Sequence, residues 1–185
     1  MNDFRINHIR NKGEIVSLYD LLLKFMARIY MSTNGKYPAL EWLKPKEKPD
    51  PKKKNFLKDF KNKYGPFLRW RLTEELDEIY LAFDKDRLIG VIALNHKLEG
   101  KKIPWVPKEY MKRNDVGFIE LFAVDPEYRG QGIGRLLFLK ALKRLEELGK
   151  RPCVVTFTNL EAVAFYEKMG GKKEKEYGEY ILYCF

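Results

Sequence analysis

The stretch Asp125-Pro126-Glu127-Tyr128-Arg129-Gly130-Gln131-Gly132-Ile133-Gly134-Arg135 decides how this chain is read. Ahead of it, Val116–Asp125 is a strand-like apolar run. Behind it, Ile133, Leu137, Ala141, Leu145 and Leu148 recur at helical spacing from Gly132 to Leu148, so the glycines fall where a strand hands over to an amphipathic helix. Glycine there lets backbone N–H groups approach a ligand closely, and the helix N-terminus adds partial positive charge. Arg129 and Arg135 set full charges beside those donors, the make-up of a pyrophosphate cradle. The plainer alternative is a tight strand-to-helix turn that binds nothing. A Walker A loop is excluded, because no Gly-Lys-Ser or Gly-Lys-Thr occurs. A dinucleotide fingerprint is excluded as well: Arg135 stands where its third glycine belongs, and the residues about 20 positions on (Cys153, Val154, Val155) are apolar.

Outward from this junction, Pro152–Thr158 reads as a short buried strand. Thr158 and Glu161 form a capping box for a helix to about Met169, which Gly170-Gly171 stops. Lys173–Phe185 reads as two strands hinged near Gly178. Upstream, Ile79, Leu81 and Phe83 alternate and Asp84-Lys85-Asp86-Arg87 turns the chain into Leu88–Leu94, which predicts a β-hairpin. A loop over about 99–115 contains Pro104, Trp105 and Pro107. The first third reads as helical, with an apolar face over about 14–30 broken by Asn34-Gly35 and Pro38. Between Lys44 and Lys63 lie nine lysines against Glu47, Asp50 and Asp59, and Pro45, Pro49 and Pro51 forbid helix through the first half. Helix is expected to resume near residue 54, bent or interrupted at Gly65-Pro66. The order of elements predicts an α/β protein around a mixed sheet, organised as a single domain over 1–185 with a Lys/Pro-rich helical segment at about 35–75.

With 185 residues, 45% of them hydrophobic and 14% aromatic, the chain can fill a core, which excludes global disorder. A net charge of +10 suits acidic ligands without choosing among phosphates, CoA, nucleic acid and anionic surfaces. No apolar run approaches the ~18 residues that span a bilayer, and the first five residues are not a secretory signal. The chain is therefore expected in the cytoplasm, with no membrane partner and its two cysteines, Cys153 and Cys184, reduced. Cys153, in an apolar strand, is expected to be an inert core thiol. With only two cysteines and two distant histidines, His8 and His96, which read as surface or packing residues, no metal site is expected. Charge enrichment with a single glutamine, Gln131, matches a thermophile's composition.

Arg129-Gly130-Gln131-Gly132-Ile133-Gly134 fits the acyl-CoA signature [QR]-x-x-G-x-[GA], and here the chain resembles the GNAT superfamily of acetyl-CoA-dependent N-acetyltransferases. Ile119–Pro126 looks like that family's fourth strand. Asn159-Leu160-Glu161-Ala162-Val163-Ala164-Phe165-Tyr166-Glu167-Lys168-Met169-Gly170 looks like its late helix. The resemblance covers about residues 78–185, and the first 75 residues poorly. It implies a mixed, mostly antiparallel central sheet, helices on both faces, and a splay between the fourth and fifth strands. It also implies acetyl-CoA as cosubstrate, no metal, an amine acceptor and, as relatives often do, a homodimer.

Carried over residue by residue, the backbone of Gln131–Gly134 would hold the CoA pyrophosphate with Gly130, Arg129 and Arg135 assisting. Backbone groups of Phe122, Ala123 and Val124 would bind pantetheine. A bulge in that strand would aim one N–H at the thioester carbonyl, a kind of donor worth ~2.7–4 kcal/mol in the transition state. Asn159 would hydrogen-bond the pantetheine arm, and Tyr166 would reach the sulfur and protonate the leaving thiolate. A lysine-like amine with pKa near ~10.4 is almost wholly protonated at neutral pH, so a base is wanted. Glu120 takes that role by position, against the alternative of a solvated residue on the strand's outer face. Asn159 could instead serve only the helix start, and Tyr166 only packing. The lysine stretch is either a solvated face or a border of the acceptor cleft, with Trp42, Phe56, Phe60 and Trp70 as an aromatic wall. Gly171 stands where many relatives carry an aromatic residue. Two other functions fit the same residues: a non-catalytic acyl-CoA sensor, and a nucleic-acid-associated acetyltransferase. The absence of basic-aromatic motifs speaks against nucleic acid as a partner.

Overall fold

The computed structural model describes residues 4–158 and 161–185. In chain order the elements are β1 (Arg5–Ile9), α1 (Lys12–Ser17), α2 (Tyr19–Ser32), α3 (Phe56–Trp70), β2 (Glu78–Asp84), β3 (Arg87–Asn95), α4 (Lys108–Met111), β4 (Val116–Val124), α5 (Ile133–Glu147), β5 (Arg151–Phe157), α6 (Ala162–Lys168), β6 (Lys172–Tyr177) and β7 (Tyr180–Cys184). The strands form one sheet in the order β1-β2-β3-β4-β5-β7-β6. Every pairing is antiparallel except β4 with β5, and α5 is the crossover that a parallel pair requires.

Each face of the sheet is covered by helices because each carries its own apolar set. On one face Ile15, Leu22, Phe25, Met26, Phe60, Tyr64 and Leu68 from α1, α2 and α3 pack on Ile79, Leu81, Val91 and Ala93. On the other, Ile133, Leu137, Phe138, Ala141 and Leu145 of α5 pack on Ile89, Ile92, Leu94, Ile119 and Val154. The spacing that marked α5 as amphipathic is thus the spacing of its buried contacts. A smaller cluster of Leu98, Ile103, Val106, Val116 and Phe118 anchors the long loop before β4.

Several expectations are corrected. The first third is not wholly helical: Arg5–Ile9 pairs antiparallel with β2 as an edge strand. The helix expected over 14–30 is two helices that part at Leu18. Gly65-Pro66 does not interrupt α3, whose buried stripe of Phe60, Tyr64 and Leu68 runs past the proline; the irregularity comes one turn later, as a π-helical turn at Arg71–Glu75. α6 opens at Ala162 with Glu161 as N-cap and no side-chain cap. Thr158, expected as the cap, instead donates its backbone N–H to the Glu179 carbonyl at 2.9 Å, and residues 159 and 160 lie outside the described residues. His8 and His96 do pack, each against the buried carboxylate of Glu78, at 2.7 and 3.2 Å, and Arg144 holds the same carboxylate with two bonds of 2.8 Å. Burial works against the charge on Glu78, but the bonds from His96, Arg144 and His8 outweigh it and hold its pKa well below the carboxylate range.

The cysteines are also corrected. They are not separate thiols: Cys153 and Cys184 are direct cross-strand partners on β5 and β7, with Cα atoms 4.1 Å apart, and they form a disulfide. Both are buried, so the bond is sheltered from solvent reductant. It closes a loop with a sequence separation of 31, which predicts a stabilisation of about 2–4 kcal/mol. Thiol titration of the denatured, unreduced protein is expected to find no free thiol, and Cys184→Ser is expected to lower the melting temperature. Two free thiols would show the bond absent in solution.

Candidate active site

The sheet opens where the sequence placed the chemistry. β4 and β5 pair only from Val116↔Arg151 to Ile119↔Val154. Beyond that point β4 stays with β3 while β5 stays with β7, from Val155↔Leu182 to Phe157↔Tyr180. The two central strands therefore part at Glu120. Here β4 also bulges: Val91 pairs with Ala123 but Ala93 with Glu120, so Ile92 faces two residues, Leu121 and Phe122. Leu121 takes the extra turn at φ 48°, a conformation that costs a non-glycine residue of the order of 1–3 kcal/mol and recurs at functional sites.

The Asp125 N–H donates to the Ile89 carbonyl at 2.9 Å. Strand alternation then gives Ala123 to the β3 ladder and turns the backbone of Phe122 and Val124 toward the gap. Of the three residues expected to contact pantetheine, Ala123 thus has its backbone committed to the sheet. The Phe122 carbonyl accepts from the Tyr37 hydroxyl at 3.2 Å.

Directly after β4 the glycine turn leads into α5. Gly130 and Gly132 sit at φ 77° and 84°, the left-handed region that L side chains avoid. Gly132 is the N-cap of α5, which has no side-chain cap and no acid in its first turn. Among the described residues, the backbone N–H groups of Gly130, Gly132, Ile133, Gly134 and Arg135 have no acceptor within the chain. The Gln131 side chain donates to the Glu127 carbonyl at 3.3 Å. The Arg129 and Arg135 side chains are exposed and make no ion pair among the described residues. The turn is braced from below by Asp125, which is 2% exposed and receives Arg28 and Arg87 at 3.0 Å each and the Glu127 N–H at 3.2 Å. The result is a row of outward donors with two loose cations, which suits a diphosphate.

The glycines differ in what they tolerate. A Cβ at Gly134 would meet Phe122 and Val124 at 3.5 Å, ordinary contact, whereas one at Gly132 has free space but a forbidden backbone. Gly134→Ala is expected to fold with stability within ~0.5 kcal/mol of the parent, and Gly132→Ala to lose about 1–2 kcal/mol. Equilibrium urea unfolding reads the difference.

Glu120 stands where the strands part, and it is buried rather than solvated on an outer face. Its Oε2 accepts from Arg71 Nη2 at 2.8 Å and its Oε1 from Trp105 Nε1 at 3.0 Å. Arg71 also holds Glu75, through Nε at 2.5 Å and Nη2 at 3.0 Å, and Glu75 is fully buried. One guanidinium thus serves two carboxylates away from water. Burial and the charge of Glu75 raise the Glu120 pKa, Arg71 and Trp105 pull against them, and the outcome is a carboxyl pushed up to about 8. The π-helical turn places Arg71 and Glu75 at the gap.

Tyr166 is buried against the rings of Phe138 and Phe165, and its hydroxyl makes no hydrogen bond among the described residues. Burial first, then the nearby Tyr37 and Glu120, push its pKa far above the usual tyrosine range, so it is a protonated donor near the same point. Asn159 lies outside the described residues. Of the proposed aromatic wall, Trp42 and Trp70 join a ring cluster with Phe67 and Trp105, at 4.6, 5.8 and 5.9 Å between neighbouring centroids. Phe56 and Phe60 do not: they stack on Tyr30 in the core beneath α2. Gly171 is required by close approach, since a Cβ there would lie 2.9 Å from both the Phe185 ring and the Tyr166 carbonyl. Arg71, Glu75, Tyr37 and Trp105 were not found by sequence reasoning. The only local signal was an Arg and a Glu four residues apart at a helix end.

Comparison with known proteins agrees with this fold. The model of the GNAT acetyltransferase family matches residues 37–171, and the chain belongs to that family. A crystal structure of a Pyrococcus horikoshii protein classed as an acetyltransferase is 46% identical, with a TM-score of 0.75 over 98% of this chain and 97% of that one. The Schizosaccharomyces pombe N-alpha-acetyltransferase 30 is 27% identical over 130 residues, covering 68% of this chain and 78% of its own length. The fold is shared with the PaiA N-acetyltransferase of Thermoplasma acidophilum, solved in complex with coenzyme A, at 18% identity and a TM-score of 0.60 over 97% of this chain and 98% of that one. The chain spans less than half (45%) of the length of an uncharacterised Methanocaldococcus jannaschii N-acetyltransferase that it matches at 26% identity over 60% of its own length. Among the described residues no helix is long and apolar enough to cross a membrane, and no cluster of three or more His, Cys, Asp or Glu could hold a metal ion.

Proposed function

We propose that the chain, acting as one domain, transfers the acetyl group of acetyl-CoA to a primary amine by direct attack in a ternary complex. The observation that carries this reading is the coincidence of two features: a parted sheet edge at Glu120, and an open donor turn at Gly130–Arg135 at the end of the same strand. The turn would take the CoA diphosphate, with Arg129 and Arg135 closing on it. The pantetheine arm would run along the free edge of β4 at Phe122 and Val124, where Asn159 would hydrogen-bond it, and would place the thioester at the bulge. The amine nitrogen attacks the thioester carbonyl carbon and a C–N bond forms. The nitrogen's proton passes to the Glu120 carboxylate, directly or through water. The C–S bond then breaks, and the thiolate takes the Tyr166 hydroxyl proton. A backbone N–H at the bulge would steady the oxyanion between these steps.

The test is release of free CoA thiol in the presence of protein N-termini, amino acids, aminoglycosides and arylamines, run beside Glu120→Gln. Thiol release with one amine class, lost in the variant, supports the reading. CoA binding without thiol release for any acceptor would favour a non-catalytic acyl-CoA sensor instead.

A further inference from the structure

Aromatic rings drawn from five separate segments form a wall that reaches the parted end of β5. Trp42, 49% exposed, lies 4.6 Å from Phe67, and Phe67 lies 6.1 Å from Trp105. The Trp105 carbonyl accepts from the Tyr177 hydroxyl at 2.6 Å; the Tyr177 ring lies 5.8 Å from Tyr180, and Tyr180 lies 4.9 Å from Phe157 on the parted end of β5. Phe67, Trp105, Tyr177, Tyr180 and Phe157 are all half-buried. The wall is continuous, and its middle member, Trp105, donates directly to Glu120.

The charges along this wall are unlike those of the molecule as a whole. The protein carries a net +10, yet burial, then Tyr180 and Glu120, raise the Tyr177 hydroxyl, and burial, then Glu179 and Glu41, raise that of Tyr180. Three cations beside the wall, Arg71, Lys48 and Lys175, are already engaged. Arg71 is shared by Glu75 and Glu120, Lys48 pairs with Glu41 at 3.4 Å, and Lys175, 5.8 Å over the Tyr177 ring, pairs with Glu109 at 2.5 Å. Where neighbouring charges are paired off, ring faces remain to stabilise an ammonium and to stack on a flat apolar body that carries it.

We infer that the acceptor is a small arylalkylamine, a primary ammonium on a short chain attached to an aromatic ring, held between Trp42 and Tyr180 with its nitrogen toward Glu120. This rests on the acetyltransferase reading for its catalytic arm and on the wall alone for its binding arm. The test has both arms. Tyramine, tryptamine, spermidine, an aminoglycoside and a peptide with N-terminal phenylalanine are each titrated calorimetrically into the protein without CoA, and each is assayed for thiol release with acetyl-CoA. The expected result is that tyramine or tryptamine binds and turns over at least tenfold better than the others, and that Trp42→Ala raises their KM at least tenfold while CoA affinity is unchanged. A preference for spermidine, the aminoglycoside or the peptide, or an aromatic preference that survives Trp42→Ala, overturns the inference and leaves acetyl transfer standing. Arylalkylamine binding with no CoA binding and no turnover would instead remove the acetyltransferase reading and keep the ring wall as an amine site.

Discussion

Replacing Glu120 by glutamine is expected to lower kcat/KM for amine acetylation by about 10²–10⁴-fold, the usual contribution of a positioned general base. The variant keeps the shape of the side chain and one of its two accepting positions, the amide NH2 being unable to accept from the second of Arg71 and Trp105, and acetyl-CoA affinity should hold. The pH profile separates this role from a merely structural one. Burial and Glu75 raise the Glu120 carboxyl to about 8, and a base works only when deprotonated. The parent rate is therefore expected to carry a tenfold-per-pH-unit limb below that value on top of the titration of the amine itself, and to keep only the amine's titration above it. Glu120→Gln should lose that limb and retain only the titration of the amine itself. A parent profile without the limb, or a variant of full activity, would show that Glu120 is a structural anion. Stability moves the opposite way. A carboxyl whose folded pKa lies above its unfolded value of ~4.3 favours the folded state fully only below the unfolded value, and that contribution is lost as pH rises through about 8. Activity and stability thus trade against each other across the same window, and melting temperatures measured from pH 5 to pH 9 should fall by more in the parent than in Glu120→Gln.

The second large effect is expected at Arg71. Among the described residues its guanidinium is the one cationic side-chain partner of both Glu75 and Glu120, and all three side chains are nearly or wholly buried. Arg71→Met preserves much of the packing against the Phe67 and Trp105 rings, which the guanidinium carbon overlies at 5.5 and 5.2 Å. It leaves two carboxyls facing one another without a countercharge. Removing one partner of a buried ion pair costs about 3–5 kcal/mol, which corresponds to a drop in melting temperature of roughly 6–20 °C for a chain of this length. The cost should be largely returned in Arg71→Met combined with Glu75→Gln, because only one buried acid then remains and it can keep its proton. If the double variant melts as low as the single one, the loss comes from packing rather than charge.

How much of this was legible beforehand follows from the range of the interactions. The β2–β3 hairpin, α5 and the β6–β7 pair were written in alternation, helical spacing and turn residues that act within a few positions, and the sequence reading placed them to within a residue or two. The glycine turn was legible for the same reason, since positive φ at Gly130 and Gly132 is a local demand met by a local residue. β1 was missed because Arg5-Ile6-Asn7-His8-Ile9 owes its strand conformation to the β2 edge, 70 positions away, and not to its own pattern. Glu120 was located, but its setting was not. Arg71 reaches it across 49 residues and Trp105 across 15, and neither spacing leaves a mark in the sequence. Phe56 and Phe60 were placed on the acceptor wall because helical periodicity shows that a face is apolar but not what it packs against; that face meets Tyr30. The cysteines were judged by number and spacing in the chain. Both lay in expected strands, and only the β5–β7 register makes them partners.

The central claim is that the turn at the N-terminus of α5 binds the diphosphate of acetyl-CoA, and calorimetric titration of acetyl-CoA into the parent and into Gly132→Glu tests it most directly. One site per chain is expected for the parent. Binding should weaken more than tenfold in the variant, which sets a side chain on a left-handed backbone and a negative charge among the donors, and Gly149→Glu, at the far end of the same helix, should bind as the parent does. No binding to the parent, or equal affinity in the parent and Gly132→Glu, would contradict it.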